Sequence, residues 1–278
     1  MADGGGAQAD GNAAVPGAIT LQRPPHPALA GLVTRIAACV DLPGGQVFPV
    51  APAGLSCPLI ISHGAPFRVA LGRRAADRQL SFATGLVAAP VHVATTGPVD
   101  CIQADLTPLG AARLFGGAMP DLSGVMVALW DIWPGEATRL ADRLWSLPDP
   151  ASRIALTERF LAERFAHAPA ASPAIAVAWH ALSGSGGSLS VARLADQIGW
   201  SRTRLARRFR QEIGVPPKTA ARLLRFARAM ALGRTGLGWA EIAADAGFAD
   251  QPHLVREFAA LAGQTPTAWR AATATPAA

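Results

Sequence analysis

The sequence predicts an α+β protein with two unlike halves. The first is a β-rich, sandwich or barrel-like domain that ends in helices, and the second is an all-α domain with two helix-turn-helix motifs joined by a linker helix. Short β-branched runs separated by Gly and Pro occupy residues 44–106, and helical spacing of apolar residues begins near residue 107. One motif then occurs twice towards the C-terminus. These three observations predict the order of the two halves.

Length and composition favour a folded chain of two domains. At roughly 150 residues per domain, 278 residues suggest two. Half of the residues are hydrophobic and 16% are charged, which excludes wholesale disorder. No apolar run reaches the roughly 18 residues of a membrane-spanning helix, and the N-terminus lacks the pattern of a secretory signal, so we expect a cytoplasmic protein without a membrane partner. The predicted segments are a disordered leader 1–20, a β-rich domain 21–167, a linker 168–173, a helical domain 174–271 and a disordered tail 272–278.

The β-rich domain is predicted from five short runs with turn residues between them. A small sandwich or barrel accommodates many short strands of this kind. From 135 to 167 the apolar residues recur at helical spacing. Pro169 to Pro173 then breaks the helices, and we expect Ser172 to cap the next helix with Pro173 at its first position. The predicted strand runs are 47–50, 58–61, 67–70, 91–94 and 101–104.

The repeated motif predicts two helix-turn-helix units. Leu205, Arg207, Phe209, Gly214 and Pro217 recur as Leu, Arg, Phe, Gly and Pro at an offset of 49 residues. Upstream, an Ala and a Gly recur at an offset of 48, so the second copy has one extra residue before its Leu. The upstream pairs are Ala195 with Ala243 and Gly199 with Gly247.

The residue types within each copy fit a helix, a tight turn and a second helix. A glycine at 199 or 247 ends the first helix at low cost, because only glycine adopts the left-handed conformation freely. Ser201 and Asp250 are placed to cap the helices that follow. The residues from Pro217 to Leu232 are predicted to form one long helix that holds the two units at a fixed separation.

The first motif carries an unusual density of positive charge. Five of the nine residues from 202 to 210 are arginines. At about 100° per residue, Leu205 and Phe209 define the buried side of the helix and Arg207 points away from it. Five arginines on one short helix repel one another unless an anion lies against them. The exposed candidates on and beside this helix are Arg202, Thr203, Arg204, Arg207, Arg210 and Lys218.

The positive charge is confined to the C-terminal half. Residues 1–171 hold 12 basic and 13 acidic groups, whereas residues 172–278 hold 13 basic and 6 acidic ones. Within that half, residues 189–235 hold 11 basic and 2 acidic groups, and residues 236–271 hold 2 basic and 4 acidic ones. Such asymmetry indicates a polyanionic partner for one domain, contacted mainly through the first motif and the connecting helix.

Residues 172–271 resemble the DNA-binding domain of the AraC/XylS family of bacterial transcription regulators. The first copy matches in the spacing of Ala195, Gly199, Ser201, Leu205, Arg207, Phe209, Gly214 and Pro217. The second copy matches in the run Gly247-Phe248-x-Asp250-Gln251 and the ending Gly263-x-Thr265-Pro266. The resemblance implies a sequence-specific regulator, not an enzyme, that inserts two helices, near 201–212 and 251–261, into successive major-groove segments of double-stranded DNA.

The family resemblance also implies which side chains contact bases. By position they are Thr203, Ala206 and Arg207 in the first helix and Gln251, Pro252 and Arg256 in the second, with His253 as a further candidate beside Pro252. The N-terminal half is more weakly similar to the β-rich sensor region of some family members. That similarity implies a small-molecule effector, a homodimer, or both, with recruitment or blocking of RNA polymerase as the outcome.

Three cysteines leave a second function open. Cys39, Cys57 and Cys101 form no CxxC pair, so neither a metal site nor a cofactor is expected. A repair or redox sensor that is modified at cysteine and carries a DNA-targeting module is the alternative. Arg35, one helical turn before Cys39, is the nearest basic group that could lower a thiol pKa. A purely architectural DNA-binding protein is a third possibility.

Overall fold

The structure is a computed structural model, and it describes residues 20–274. The predicted leader lies outside the described residues except for Thr20. The last helix continues to Ala274, so the segment predicted as a tail from residue 272 begins inside a helix.

The N-terminal region contains two antiparallel sheets that face each other. The larger has the strand order β1-β2-β8-β3-β6-β9, and the smaller has the order β5-β4-β7. Phe67, Val69, Val91 and Val93 of the smaller sheet and Ile60 of the larger one line a cavity between them. The strands are β1 Leu21–Arg23, β2 Val33–Leu42, β3 Cys57–Gly64, β4 Phe67–Leu71, β5 Asp77–Gln79, β6 Phe82–Ala83, β7 Val91–Thr95, β8 Val99–Leu106 and β9 Val127–Ala128.

Two of the strand predictions need correction. The run 47–50 forms no strand, and only isolated bridges at Val47 and Ala51 join this segment to β7. Pro49 lies in the run, and proline has no N–H to donate to a strand ladder. Conversely, residues 35–39 are part of strand β2 rather than a helical turn. The alanines of β2 hide its strand character, because they pack in a sheet only where neighbouring strands cover them.

The central pair of strands is fixed by a buried charge. Strands β2 and β8 pair along most of their length. The carboxylate of Asp105 is fully buried and accepts from Arg35 at 2.6 Å and from Gln103 Nε2 at 2.8 Å. A buried carboxylate needs such partners, because burial of an unpaired charge is very costly. The ion pair therefore stabilises the register of these two strands.

The first helix begins where the sequence predicts it, near residue 107. The Thr107 hydroxyl accepts from the N–H of Gly110 and caps the first helix. Twelve α-helices lie within residues 108–274. They are α1 Pro108–Phe115, α2 Met119–Leu122, α3 Leu129–Ile132, α4 Glu136–Trp145, α5 Pro150–His167, α6 Pro173–Gly184, α7 Val191–Gln197, α8 Arg202–Ile213, α9 Pro217–Gly233, α10 Trp239–Asp245, α11 Gln251–Ala262 and α12 Pro266–Ala274.

The linker lies between α5 and α6, but Ser172 does not cap α6 through its side chain. Its hydroxyl and its backbone N–H both donate to the carboxylate of Glu212 at the end of α8, at 2.9 and 2.7 Å. Glu212 also pairs with Arg208 at 2.9 Å. The charged acceptor makes the stronger hydrogen bonds, so the Ser172 side chain binds α8, while the Ser172 carbonyl still accepts from the N–H of Ala176 in α6 at 3.0 Å.

One apolar core runs through both halves of the chain. It extends from Leu29 and Ile36 of the β-rich region, through Met119, to Phe209 and Trp269 of the helical domain. A second, smaller cluster fills the space between the two sheets. The helical domain is therefore packed against the β-rich domain.

Candidate nucleic-acid interface

The first helix-turn-helix unit is formed by α7 and α8. Ser190 and Ser201 cap the two helices by accepting from the N–H groups of Arg193 and Arg204. Between the helices, Gly199 has a φ of +67°, the left-handed conformation that glycine adopts at least cost. Leu194, Ala195, Leu205 and Phe209 are buried where the helices meet.

The second unit, α10 and α11, repeats this geometry. Gly247 has a φ of +78°, and the Asp250 carboxylate accepts from the N–H of His253 at 2.6 Å. The turn closes by the same bond in both copies: Trp200 N–H donates to Ala195 at 3.0 Å, and Phe248 N–H donates to Ala243 at 2.9 Å. The predicted repeat is thus a structural repeat.

The exposed face of α8 carries the predicted side chains. Arg202, Thr203, Arg204, Arg207 and Arg210 are exposed, and Ala206 is half-buried. Within the described residues Arg207 has no ion pair or hydrogen bond, so its guanidinium is available to a partner. An open groove of about 1370 Å³ follows this face. Residues from three neighbouring segments line it, among them Arg202, Thr203, Ala206, Arg207, Arg210, Lys218 and Ser190.

Two of the arginines on α8 are already engaged. The guanidinium of Arg204 lies 4.4 Å from the ring centroid of Trp200, which holds it beside the turn. Arg208, at the edge of the helix, pairs with Glu212. Arg202, Arg207 and Arg210 are the charges least constrained by the protein itself.

The exposed face of α11 is nearly uncharged. Gln251, Pro252 and Arg256 are exposed. His253 is half-buried; its Nδ1 accepts from the N–H of Ala249 at 3.3 Å, and its ring contacts the edge of Phe248 at 5.4 Å. The imidazole of His253 therefore supports the turn as well as lying close to the exposed face.

Two arginines of the connecting helix α9 join the units to each other, a role that the sequence analysis missed. Arg225 Nη1 donates to the carbonyl of Gly187 at 3.0 Å, ahead of the first unit, and its side chain lies against Phe248 and Gly247 of the second. Arg222 forms a close ion pair with Glu257 of α11. The sequence indicates both only as contributions to the net positive charge of residues 189–235. Their regular spacing along α9 gave no sign of these partners, because the partners lie far away in the sequence.

The three cysteines lie in strands and are buried. Burial raises the pKa of the Cys57 thiol well above its usual range, and the charge of Asp105 adds to the effect. Cys39 and Cys101 face each other across β2 and β8. A hydrogen bond between the two thiols lowers the pKa of Cys39 and raises that of Cys101. An alkylating or oxidising agent reaches none of them unless the sheet opens.

Residues 20–274 contain no group of three or more His, Cys, Asp or Glu side chains that could hold a metal ion. None of the helices in this range is both long and apolar enough to cross a membrane.

A family model described as a helix-turn-helix domain, of the AraC type, matches residues 194–272. The match begins in α7 and ends in α12, so it includes both units and the helix between them. Residues 194–272 are an AraC-type DNA-binding domain.

Solved structures with AraC-type domains are among those that the chain is similar to. ToxT from Vibrio cholerae is 9% identical, over 84% of this chain and 96% of that chain, with a TM-score of 0.47. The C-terminal domain of AraT, a response regulator from Geobacillus stearothermophilus, is 24% identical over 37% of this chain and 87% of that one, with a TM-score of 0.35. A transcriptional regulator from Chromobacterium violaceum is 29% identical over 38% and 96%, with a TM-score of 0.35. The comparison with curated proteins gives no match.

Proposed function

We propose that the protein is a transcription regulator of the AraC/XylS type and not an enzyme. It recognises a specific DNA site with α8 and α11 in successive major-groove segments, and a small molecule bound in the N-terminal domain modulates it. One observation carries the DNA part. Arg207 and Arg256 occupy equivalent positions of two structurally equal units, and both are exposed and unpaired among the described residues. Paired recognition helices on one rigid domain suit two groove segments about 34 Å apart.

The proposed contacts divide by chemistry. Arg207, Arg256 and Gln251 can make bidentate hydrogen bonds to base edges, and Thr203 and Ala206 can contact a thymine methyl group. Arg202, Arg210 and Lys218 neutralise phosphates. Arg204, Pro252 and His253 complete the proposed interface, with Arg204 held against Trp200 and His253 against Phe248.

The experiment is a selection from a random duplex pool with the full-length chain, followed by titration of the selected duplex at several salt concentrations. The expected site has two half-sites about 10 bp apart, and its affinity falls steeply as salt is raised. A selected site with one half only, or an affinity independent of salt, contradicts the proposal. Equal affinity for the selected duplex and for bulk DNA favours an architectural protein instead.

The effector part rests on the cavity between the two sheets. It has a volume of about 60 Å³, and none of its lining residues is charged. Most of the lining is aliphatic or aromatic, and Thr84 and Gln103 supply polar groups. Because an unpaired charge is costly in such a place, the effector we propose is a neutral, largely apolar molecule with one or two hydrogen-bonding groups.

A thermal-shift series tests the effector. Neutral alcohols and aromatic compounds of increasing size should raise the melting temperature, whereas their carboxylate analogues should not. Val69→Phe, which fills the cavity, should remove the effect. If the compounds raise the melting temperature of the Val69→Phe variant as much as that of the wild type, they bind outside the cavity.

The remaining parts of the proposal concern assembly and outcome. The exposed Trp130 provides apolar surface for a homodimer, and DNA binding near a promoter would recruit or block RNA polymerase in the cytoplasm. Sedimentation of the full chain and transcription from the selected site in vitro test the two parts separately.

The cysteine-modified alternative receives less support, because all three thiols are buried. Intact mass after treatment with a methylating agent distinguishes it. Stoichiometric methylation of one cysteine in the folded protein would favour a repair or redox sensor.

A further inference from the structure

The smaller sheet of the N-terminal domain carries arginines on its outer face. Phe67 and Val69 of β4 point into the cavity between the sheets, so Arg68 between them lies on the opposite face. Arg78 of β5 lies directly opposite Arg68 in the register, and both are exposed. Arg73, in the hairpin that joins β4 to β5, is exposed as well. We call Arg68, Arg73 and Arg78 the arginine patch.

The protein itself does not balance the charge of the arginine patch. Residues 67–95 hold four arginines and one acidic residue, Asp77. The Asp77 carboxylate accepts from the backbone N–H of Arg78 and from Gln79 Nε2, both at 2.8 Å. Within residues 20–274 the three guanidinium groups of the patch form no ion pair and no hydrogen bond. Like charges directly opposite one another in a sheet are destabilising, so an anion from outside the chain would stabilise this arrangement.

The hairpin between β4 and β5 lies beside the C-terminal end of the second recognition helix. The N–H of Gly72 donates to the carbonyl of Pro90 at 2.7 Å. A Cβ on Gly263, which ends α11, would lie 3.3 Å from Cβ of Pro90. Helix α11 rises about 10 Å from Arg256 to Gly263. The hairpin therefore begins about that far along the helix from a proposed base contact.

A second hydrogen bond joins the hairpin to the neighbourhood of α8. Arg74 Nη1 donates to the carbonyl of Gly124 at 2.9 Å. The preceding residue, Ser123, packs so closely on Gly214 at the end of α8 that a Cβ on Gly214 would overlap the Ser123 hydroxyl. Arg73 lies between the two residues that make these bonds. The exposed tip of the hairpin is therefore placed between the C-terminal ends of the two recognition helices.

The second helix-turn-helix unit has few basic groups of its own for a DNA backbone. Residues 236–271 hold 2 basic and 4 acidic groups, whereas α8 has Arg202, Arg210 and Lys218 beside its groove. A duplex carries about one negative charge per 1.7 Å, so the backbone near α11 stays largely unneutralised by that unit. The arginine patch supplies positive charge next to the end of the helix that lacks it.

We propose that the arginine patch of the N-terminal domain is a third DNA contact, which binds backbone phosphates between the two groove segments on the duplex that α8 and α11 read. This inference rests on the proposed DNA recognition by α8 and α11. Phosphate contacts position a protein on a duplex but carry no direct sequence information. The patch therefore adds affinity and salt dependence, and it leaves the choice of bases to the two helices.

A triple variant of the full-length chain tests the contact. The patch variant combines Arg68→Gln, Arg73→Gln and Arg78→Gln, which remove the charges and keep polar side chains. On the selected duplex its slope of log K against log salt should be shallower than that of wild type by about three, one for each lost phosphate contact. Its preference among single-base variants of the duplex should not change. Because the substitutions also remove the repulsion between Arg68 and Arg78, its melting temperature should not fall.

The matched control removes the same charge elsewhere in the N-terminal domain. Arg139 and Arg143 of α4 and Arg159 of α5 are exposed, and both helices pack on the face of the larger sheet that points away from the smaller one. Changing all three to glutamine should leave the salt slope nearly unchanged. An equal loss of slope in the control would show that net charge alone is responsible, which overturns the patch as a contact.

Neutral methylphosphonates in place of single phosphates locate the contact on the DNA. Between the two half-sites, a replacement should weaken wild type more than the patch variant, because the variant has already lost the interaction. Outside the half-sites, a replacement should weaken both proteins equally. Extra weakening of wild type only outside the half-sites overturns the placement between the groove segments.

The remaining outcomes separate this proposal from the one on which it rests. A patch variant with the salt slope of wild type overturns the third contact, even if α8 and α11 bind DNA as proposed. If the patch variant does not fold, Arg73→Gln alone, at the tip of the hairpin, should lower the slope by about one, and no change in that variant overturns the contact equally. If wild type binds no duplex at low salt, the proposed DNA recognition itself is wrong.

Discussion

The two helix-turn-helix units have the same backbone geometry and different surface charge. Both turns have a left-handed glycine, both recognition helices are side-chain capped, and both end at a left-handed glycine. Yet α8 exposes a cluster of arginines, whereas Arg256 is the only exposed arginine of α11. The buried residues and the turn determine the fold of each unit, which leaves the exposed face free to differ. If both helices bind DNA as proposed, we expect α8 to supply most of the electrostatic affinity.

The largest expected difference between the units concerns stability. Phe258 of α11 contacts three aromatic rings, those of Phe226, Trp239 and Trp269, at centroid distances of 5.0 to 5.9 Å. Phe209 of α8 contacts one, that of Trp179 at 6.3 Å. We expect Phe258→Ala to lower the free energy of unfolding by about 4–5 kcal/mol and Phe209→Ala by about 3 kcal/mol. Urea unfolding measures both, and the reverse order would show that the aromatic cluster does not stabilise the second unit.

Removal of the equivalent arginines compares the two units in DNA binding. Arg207→Ala should cost about 1–3 kcal/mol and relax selectivity at one base pair, and Arg256→Ala should cost less. The physical reason is that Arg207 lies among further basic groups, whereas Arg256 neighbours the acidic Glu257. Titrations on the selected duplex and on its single-base variants measure both effects, and equal losses would refute the asymmetry.

Two basic residues of α9 distinguish a free charge from a paired one. Lys218 is exposed beside the groove of α8, so Lys218→Ala should reduce the slope of log K against log salt by about one. Arg222 is paired with Glu257, so Arg222→Ala should leave that slope nearly unchanged and instead destabilise the fold. The two variants are controls for each other. A changed slope in Arg222→Ala would mean that its ion pair opens on DNA.

The smallest expected effect concerns the caps. Ser201→Ala and Asp250→Ala should each lower stability by about 1 kcal/mol, because each leaves a helix N–H without its acceptor. Asp250→Asn keeps the cap and removes a negative charge beside the DNA, so it should retain stability and bind DNA slightly more tightly. Thermal melts and titrations of the three variants check this, and loss of stability in Asp250→Asn would show that charge, not capping, is what matters there.

The sequence predicted the helical domain well, because its determinants are local. Ser190, Ser201 and Asp250 act within three residues of themselves, and Gly199 and Gly247 act at their own positions, so spacing alone identifies them. The run of arginines on α8 likewise fixes its own exposure through the helical period. Ser172 is the N-cap residue of α6 with Pro173 next, as predicted, but its hydroxyl does not cap the helix, because it bonds to a carboxylate 40 residues away.

The β-rich domain was harder to predict, because its determinants are distant in the sequence. Strand β2 contains two consecutive alanines, Ala37 and Ala38, and is recognisable only once its pairing with β8 and the ion pair of Arg35 with Asp105 are known. The cavity is lined by residues from both sheets, and no short sequence motif predicts it. The contacts that hold the two domains together also join residues that are far apart, such as Ala53 and Leu261.

The apolar core that passes from one domain into the other limits how this protein can be recombined. Met119 and Leu122 of α2 are fully buried. Gly214, at the end of α8, lies so close to α2 that a side chain at this position would collide with Met119. A chimera that attached α6–α12 to an unrelated N-terminal partner would leave Gly214 at the end of α8 uncovered or press it against a surface of the wrong shape. Evolution can therefore exchange the DNA specificity of this chain by changing the outer faces of α8 and α11, whereas exchange of a whole domain requires a matching change in α2.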